Sequence, residues 1–175
     1  RLEDDERVSI GGREWRVITG QGHAPEHMCL YCPDLRVMFT GDHILPRITP
    51  IIGVQPLQPD ENPLANYLRS FTKFDGLPDD VLVLPAHNLP FRGLHTRLAH
   101  MRRHHRERLE ELYDAASQPI TARQGVDVLF SYRKLDSQDI RLATMETLSH
   151  AHYLVYEGRL KRSRRADGVW EFKRA

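Results

Sequence analysis

Over the first forty residues apolar and polar positions alternate in short runs, and after residue 63 the period changes. "RVSI" (7–10) and "EWRVIT" (14–19) read as strands, and Gly11-Gly12 between them is a hairpin signal. "MCLYC" and "RVMFT" form a second such pair around Pro33-Asp34. A proline-rich connection, residues 45–63, has no periodicity of its own, and loops of that length in compact domains are often functional. From Pro63, a residue suited to a first helical position, Leu64, Tyr67, Leu68 and Phe71 follow the helical period. "VLVLP" (81–85) predicts a short buried strand. Leu94, Leu98, Met101, His105, Leu109, Leu112 and Ala116 then trace an amphipathic helix to about Ser117.

The remaining residues predict a different module. Thr121 suits the cap of a short helix through Phe130, and Asp136 or Ser137 that of a longer one ending near Gly158. "RLKRSRRADGVWEFKR" reads as a hairpin turning at Asp167-Gly168. Helix, helix, helix, hairpin is the order of a winged helix-turn-helix. The pattern therefore divides the chain into an α/β part, residues 1–97, and a winged-helix part, residues 98–175, joined by the helix that begins at Leu94.

Composition narrows the class. The chain has 175 residues, 40% hydrophobic and 28% charged, as a folded domain or two small ones would. A formal charge of +1 gives no global attraction to nucleic acid or anionic lipid. No apolar run approaches the roughly 20 residues that span a bilayer, so no membrane partner is expected. Cys29 and Cys32 form a C-x-x-C without a second pair to complete a zinc knuckle. On a strand, residues three apart face opposite ways, so both are read as structural thiols, which fits a reducing, cytoplasmic compartment.

The candidate chemistry lies at strand exits. "GQGHAPEH" sets His23 and His27 four apart, but its glycines and proline forbid a helix, so a loop must hold them. Asp42 follows "RVMFT" in "FTGDHIL", and His87 follows "VLVLP" in "LPAHNLPF". Strand ends hold side chains rigidly, and small neighbours let a ligand approach. Two imidazoles and a carboxylate suit zinc or iron. His100 and His104 share a helical spacing but sit among arginines, which predicts a solvated or interface role. "RLKRSRR" (159–165) reads either as a wing that touches phosphates or as a hairpin edge kept soluble by its charge.

"GHAPEH", "FTGDHIL" and "LPAHNLPF", in this order, resemble the second half of the metallo-β-lactamase fold. The remainder, with "HRERLEEL", "TMETLSHAHYLVYEGRL" and "DGVWEF", resembles the winged-helix tail of one branch of lactamase-β-like hydrolases. The resemblance implies the C-terminal half of an αββα sandwich and a metal-dependent hydrolase. It implies two zinc ions in the intact protein, with iron or manganese as alternatives. His23, Asp42 and His87 match metal ligands, Asp42 being the catalytic residue that bridges the two ions. His27 matches a position behind the site. His43, directly after the bridging aspartate, is a second supporting candidate that either faces the pocket or serves a structural role, and Arg47 and Asn88 are candidate substrate contacts. The expected reaction is hydrolysis of a small ester or thioester by metal-bound hydroxide.

Two departures qualify the match. The family's first metal motif, H-x-H-x-D-H, occurs nowhere in these residues and normally lies upstream. Arg1 is therefore expected to begin a fragment that is inactive alone. "PAHN" also stands where the family more often has "PGHG". The expected partner is a small-molecule substrate. Homodimerisation is an open alternative, and nucleic acid, through ribonuclease activity or a binding winged helix, a less favoured one.

Overall fold

The computed structural model describes residues 1–132 and 134–175, which fall into two compact units. One comprises residues 1–50 and 66–102, the other residues 51–65 and 103–175.

The first unit is built on a five-stranded sheet in the order β1-β2-β3-β4-β5. β1 (Arg7–Ile10) and β2 (Arg13–Gly20) form a hairpin, and Gly11 and Gly12 between them both take positive φ, as a two-residue hairpin turn with the strands' own twist requires. β3 (His27–Cys32) and β4 (Val37–Gly41) continue antiparallel, and β5 (Leu82–Pro85) joins β4 in parallel. A parallel neighbour needs a crossover, supplied by α1 (Pro63–Ser70), a 3₁₀ turn (Phe71–Phe74) and their connections. The register places Ile18, Cys29, Tyr31, Met38 and Val83 on one face, all buried. The opposite face exposes Ile10, Met28 and Phe39. Cys29 and Cys32 point to opposite faces as free, buried thiols, and burial raises the Cys29 thiol to about 12. α2 (Leu94–Ala115) starts where Asp79 accepts the His95 amide at 3.0 Å.

The second unit adds β6 (Ile120–Thr121), α3 (Ala122–Leu129), α4 (Ser137–Tyr156), β7 (Leu160–Arg164) and β8 (Trp170–Arg174), its sheet ordered β6-β8-β7. Both predicted caps form. The Thr121 hydroxyl accepts from Gln124 N–H while the Gln124 side chain accepts from Thr121 N–H, and Asp136 accepts from Asp139 N–H. β6 has no sequence signature, because two residues carry no period; Ile120 forms it by pairing with Phe172. Residues 51–65, which contain no strand and only the first residues of α1, are held by α4 and β7. Val54 N–H donates to Met145 O (3.0 Å), His152 Nδ1 to Glu61 O (2.9 Å) and Tyr156 OH to Asp60 O (2.6 Å), and Arg162 pairs with Asp60 (2.9 Å).

Candidate metal centre

Strand direction gathers the candidate residues. Gly20 pairs with His27, so the end of β2 adjoins the start of β3. Leu30 pairs with Phe39, and continuing that ladder three residues sets His27 opposite Asp42. Gly41 pairs with Pro85, so β4 and β5 end together, and Ala86 N–H donates to Gly41 O at 2.9 Å. The loop after β2 and the turns after β4 and β5 thus leave the same edge of the sheet. They carry His23, Asp42 and His87.

The three side chains converge on the carboxylate. His23 Nε2 lies 3.6 Å from Asp42 Oδ2, and His87 Nε2 lies 3.3 Å from Asp42 Oδ1. Oδ1 is buried and has no hydrogen-bond partner among the described residues. Two donors on one tetrahedral zinc, with bonds of about 2.0–2.1 Å, stand roughly 3.4 Å apart, and both separations are close to that. The imidazoles address different oxygens, so the trio is two half-sites sharing a carboxylate rather than three donors around one point. In keeping with this, no group of three or more His, Cys, Asp or Glu among the described residues could by itself hold a metal ion. His87 is the most open of the three, its side chain 65% exposed.

Behind the carboxylate stand two histidines in different roles. His27 Nε2 accepts the Asp42 backbone N–H at 3.1 Å. Its pKa is lowered, first by burial, then by His23, with Asp42 opposing. His43 is fully buried. Its Nε2–H donates to Ser70 Oγ (2.9 Å), which donates to Tyr67 O (2.6 Å), and Tyr67 OH donates to His43 O (2.9 Å). Burial, with His27, His23 and Lys73 adding to it, pushes His43 down to about 3, so it is a neutral packing residue under Phe71 and Phe74. Two glycines make room for these rings. A Cβ on Gly20 would lie 2.2 Å from the His43 ring, and one on Gly41, where φ is +51°, would lie 2.6 Å from His27.

Arg47 is exposed on the loop after Asp42, whose Leu45 and Ile48 carbonyls accept from Arg97 at 2.5 and 2.7 Å. Asn88 has φ of +68°, a left-handed conformation that asparagine tolerates better than most residues. That accounts for an asparagine where the resemblance more often has glycine. Sequence reasoning passed over Ser70, Arg97 and Lys73; Lys73 fixes the end of β2 by donating to Thr19 O (2.8 Å) and pairing with Asp4 (2.9 Å). Only the glycines abutting the motifs carried a readable signal, since a conspicuous Gly beside a strand end marks close approach.

A sheet whose strand exits bring two imidazoles onto one carboxylate defines an α/β protein with a carboxylate-centred His/Asp site. The family described as "Metallo-beta-lactamase superfamily" matches residues 1–87, and "Metallo-beta-lactamase-like, C-terminal domain" matches residues 109–175. The chain belongs to the metallo-beta-lactamase superfamily and carries that C-terminal domain. Its structure is similar to a beta-lactamase domain protein from Burkholderia ambifaria, with 43% identity and a TM-score of 0.97 over 100% of this chain and 52% of that one. It is also similar to a metallo-beta-lactamase family protein from Thermus thermophilus, with 29% identity and a TM-score of 0.86 over 99% of this chain and 54% of that one. A hydroxyacylglutathione hydrolase from Francisella tularensis subsp. novicida is 31% identical over 87 residues, covering 50% of this chain and 32% of that protein. The chain thus spans about a third of that curated relative and about half of the two solved ones. Among the described residues no helix is long and apolar enough to cross a membrane.

Proposed function

We propose that this chain is the C-terminal part of a metal-dependent hydrolase acting on a small ester or thioester. The carrying observation is Asp42 held between His23 and His87, each imidazole 3.3–3.6 Å from a different carboxylate oxygen. The donor set fits the group the superfamily implies. Imidazole nitrogen and carboxylate oxygen are zinc and iron ligands, and Oδ1 is a buried acceptor with no hydrogen bond to offset its desolvation. His23 with Oδ2 would hold one ion and His87 with Oδ1 the other, with the remaining ligands supplied by the part of the relatives that this chain does not span. Zinc bound there supplies Lewis acidity and activates a nucleophile at neutral pH. This chain's own contribution is positional: the paired strand exits set the donor spacing, and the open side of His87, with Arg47 and Asn88 on the adjoining loops, faces substrate. The thioester preference rests on the similarity to the hydroxyacylglutathione hydrolase, because a hydroxyacylglutathione is an acyl thioester.

The second unit is read as a winged helix, from its order of helices and the β7–β8 hairpin. Four of the seven basic residues in 159–174 pair with acids. Arg159 pairs with Glu110, Arg162 with Asp60, Arg165 with Asp167 and Glu171, and Arg174 with Asp114. These pairs lower the charge that a phosphate backbone would meet, so a nucleic-acid partner gains no support from the hairpin.

Metal analysis of the full-length protein tests the proposal. About two equivalents of transition metal are expected, with a clear loss in His23→Ala and in Asp42→Ala. Fewer than one equivalent, unchanged by His23→Ala, would count decisively against it. Thioester and single-stranded RNA substrates offered side by side separate the hydrolase from the nuclease.

A further inference from the structure

A carboxylate that serves two cations must be aimed as well as placed. Asp42 follows Gly41, left-handed and the last rung of the β4–β5 ladder, in a turn closed by His43 N–H donating to Thr40 O at 2.9 Å. The turn leaves the Asp42 amide itself to a side chain. The Asp42 amide donates 3.1 Å to His27 Nε2, across the gap that the absent Cβ of Gly41 leaves open. A nitrogen that accepts from a backbone N–H bears no proton, so the His27 ring carries its hydrogen on Nδ1. That nitrogen is buried with no hydrogen-bond partner among the described residues. The ring is thus arranged around Asp42's amide and leaves its own donor unserved, an arrangement that costs stability in isolation. Its edges are fixed by its neighbours, His43 with centroids 5.6 Å away and His23 at 6.0 Å.

From this we infer that His27 is a positioning residue: an imidazole that accepts the Asp42 amide and so aims the carboxylate at the His23 and His87 half-sites, without being a ligand itself. The inference rests on the metal-centre reading for its consequence but not for its geometry. A ring that merely filled space would be indifferent to its tautomer and replaceable by phenylalanine. A clamp needs a lone pair at Nε2.

The test uses the full-length protein, first stripped of metal. Long-range proton–nitrogen NMR correlations should show His27 as the Nδ1–H tautomer. The Asp42 amide should exchange at least about tenfold faster in His27→Phe than in wild type, while His27→Gln, whose side-chain oxygen can accept, restores much of the protection. Zinc titration should then show affinity about 10–100-fold weaker in His27→Phe, the range typical of losing an outer support, and partly recovered in His27→Gln. An Nε2–H tautomer, or wild-type exchange at Asp42 in His27→Phe, would overturn the clamp. If His27→Phe fails to fold, the wild-type tautomer and the His27→Gln exchange decide the question alone. Absence of zinc binding in every variant with the clamp intact would instead sink the metal-centre reading and leave the clamp standing.

Discussion

The histidines of this chain show how far one residue type can be divided by its surroundings. His87 is open to solvent, His27 accepts a backbone amide, and His43 is enclosed among aromatic rings. A Cβ on Gly20 would fall within 2.5 Å of three atoms of the His43 ring, and that ring is held by Ser70, so it cannot yield to an added methyl. Gly20→Ala should therefore destabilise the protein by about 1–3 kcal/mol, seen as a lower chemical-denaturation midpoint, and should disturb the metal edge only through the end of β2. His150 makes a separate prediction, because it is fully buried. Its Nδ1 donates to Glu146 O at 2.8 Å, and its Nε2 faces His105 Nδ1 at 3.2 Å, with His104 and Arg108 adding positive charge nearby. Burial pushes His150 down to about 4, with the Glu146 carbonyl opposing and His104 and Arg108 reinforcing. The unfolded imidazole titrates near 6.5, so between there and about 4 the unfolded chain binds the extra proton. The stability of the folded state is thus complete above pH 6.5 and lost as pH falls toward 4, by up to roughly 3 kcal/mol. Denaturation midpoints measured across that range should fall with acidity, and less steeply in His150→Gln.

Secondary structure was legible wherever a local rule decided it. The Gly11-Gly12 turn, the Thr121 and Asp136 caps and the Asp167-Gly168 hairpin each rest on chemistry within a few residues, and each formed. His23, Asp42 and His87 were legible as candidates because each follows a strand end flanked by Gly or Pro; their sharing of one carboxylate depends on strand direction, which no local pattern carries. The allegiance of residues 51–65 was equally invisible. Nothing in "IIGVQPLQPDENPLA" says that Glu61 O will meet His152, or that Gly53 will lie where a Cβ would come within 2.9 Å of Met145 Cβ. This segment leaves the Asp42 loop and folds with α4, so its order should depend on α4 side chains. His152→Ala should release it: hydrogen exchange at the Val54 amide, bonded to Met145 O, should speed up, with an overall loss of about 1–3 kcal/mol. His152→Asn, which keeps a donor near the position of Nδ1, should hold most of the protection. Unchanged exchange in His152→Ala would show that Met145 and Tyr156 suffice.

At the scale of the molecule, one face of the first unit's sheet is only partly covered: Trp15, Val17 and Cys32 on it are buried, but its rim is open. Ile18, Cys29, Tyr31, Met38 and Val83 are buried on the face toward Gly20 and His43. The other presents Phe39 at 47% and Met28 at 39% exposure on adjacent strands, with Ile10 at 50% on β1. A sheet face of that composition is costly to leave in water, since each large side chain forgoes part of the roughly 1.5–3 kcal/mol that full burial yields. The sandwich reading gives the face a partner in a second sheet, and that has a consequence independent of any chemistry. Residues 1–175 expressed alone should bind a hydrophobic dye and associate with rising concentration, whereas the full-length protein should do neither. Phe39→Asp discriminates between the two. In the isolated chain it should reduce dye binding and association, because it places a charge on an open face. In the full-length protein it should instead destabilise by several kcal/mol, because the same charge would be buried against the second sheet. A full-length protein as tolerant of Phe39→Asp as the isolated chain would mean that this face is solvated in both, and the αββα architecture would have to be abandoned.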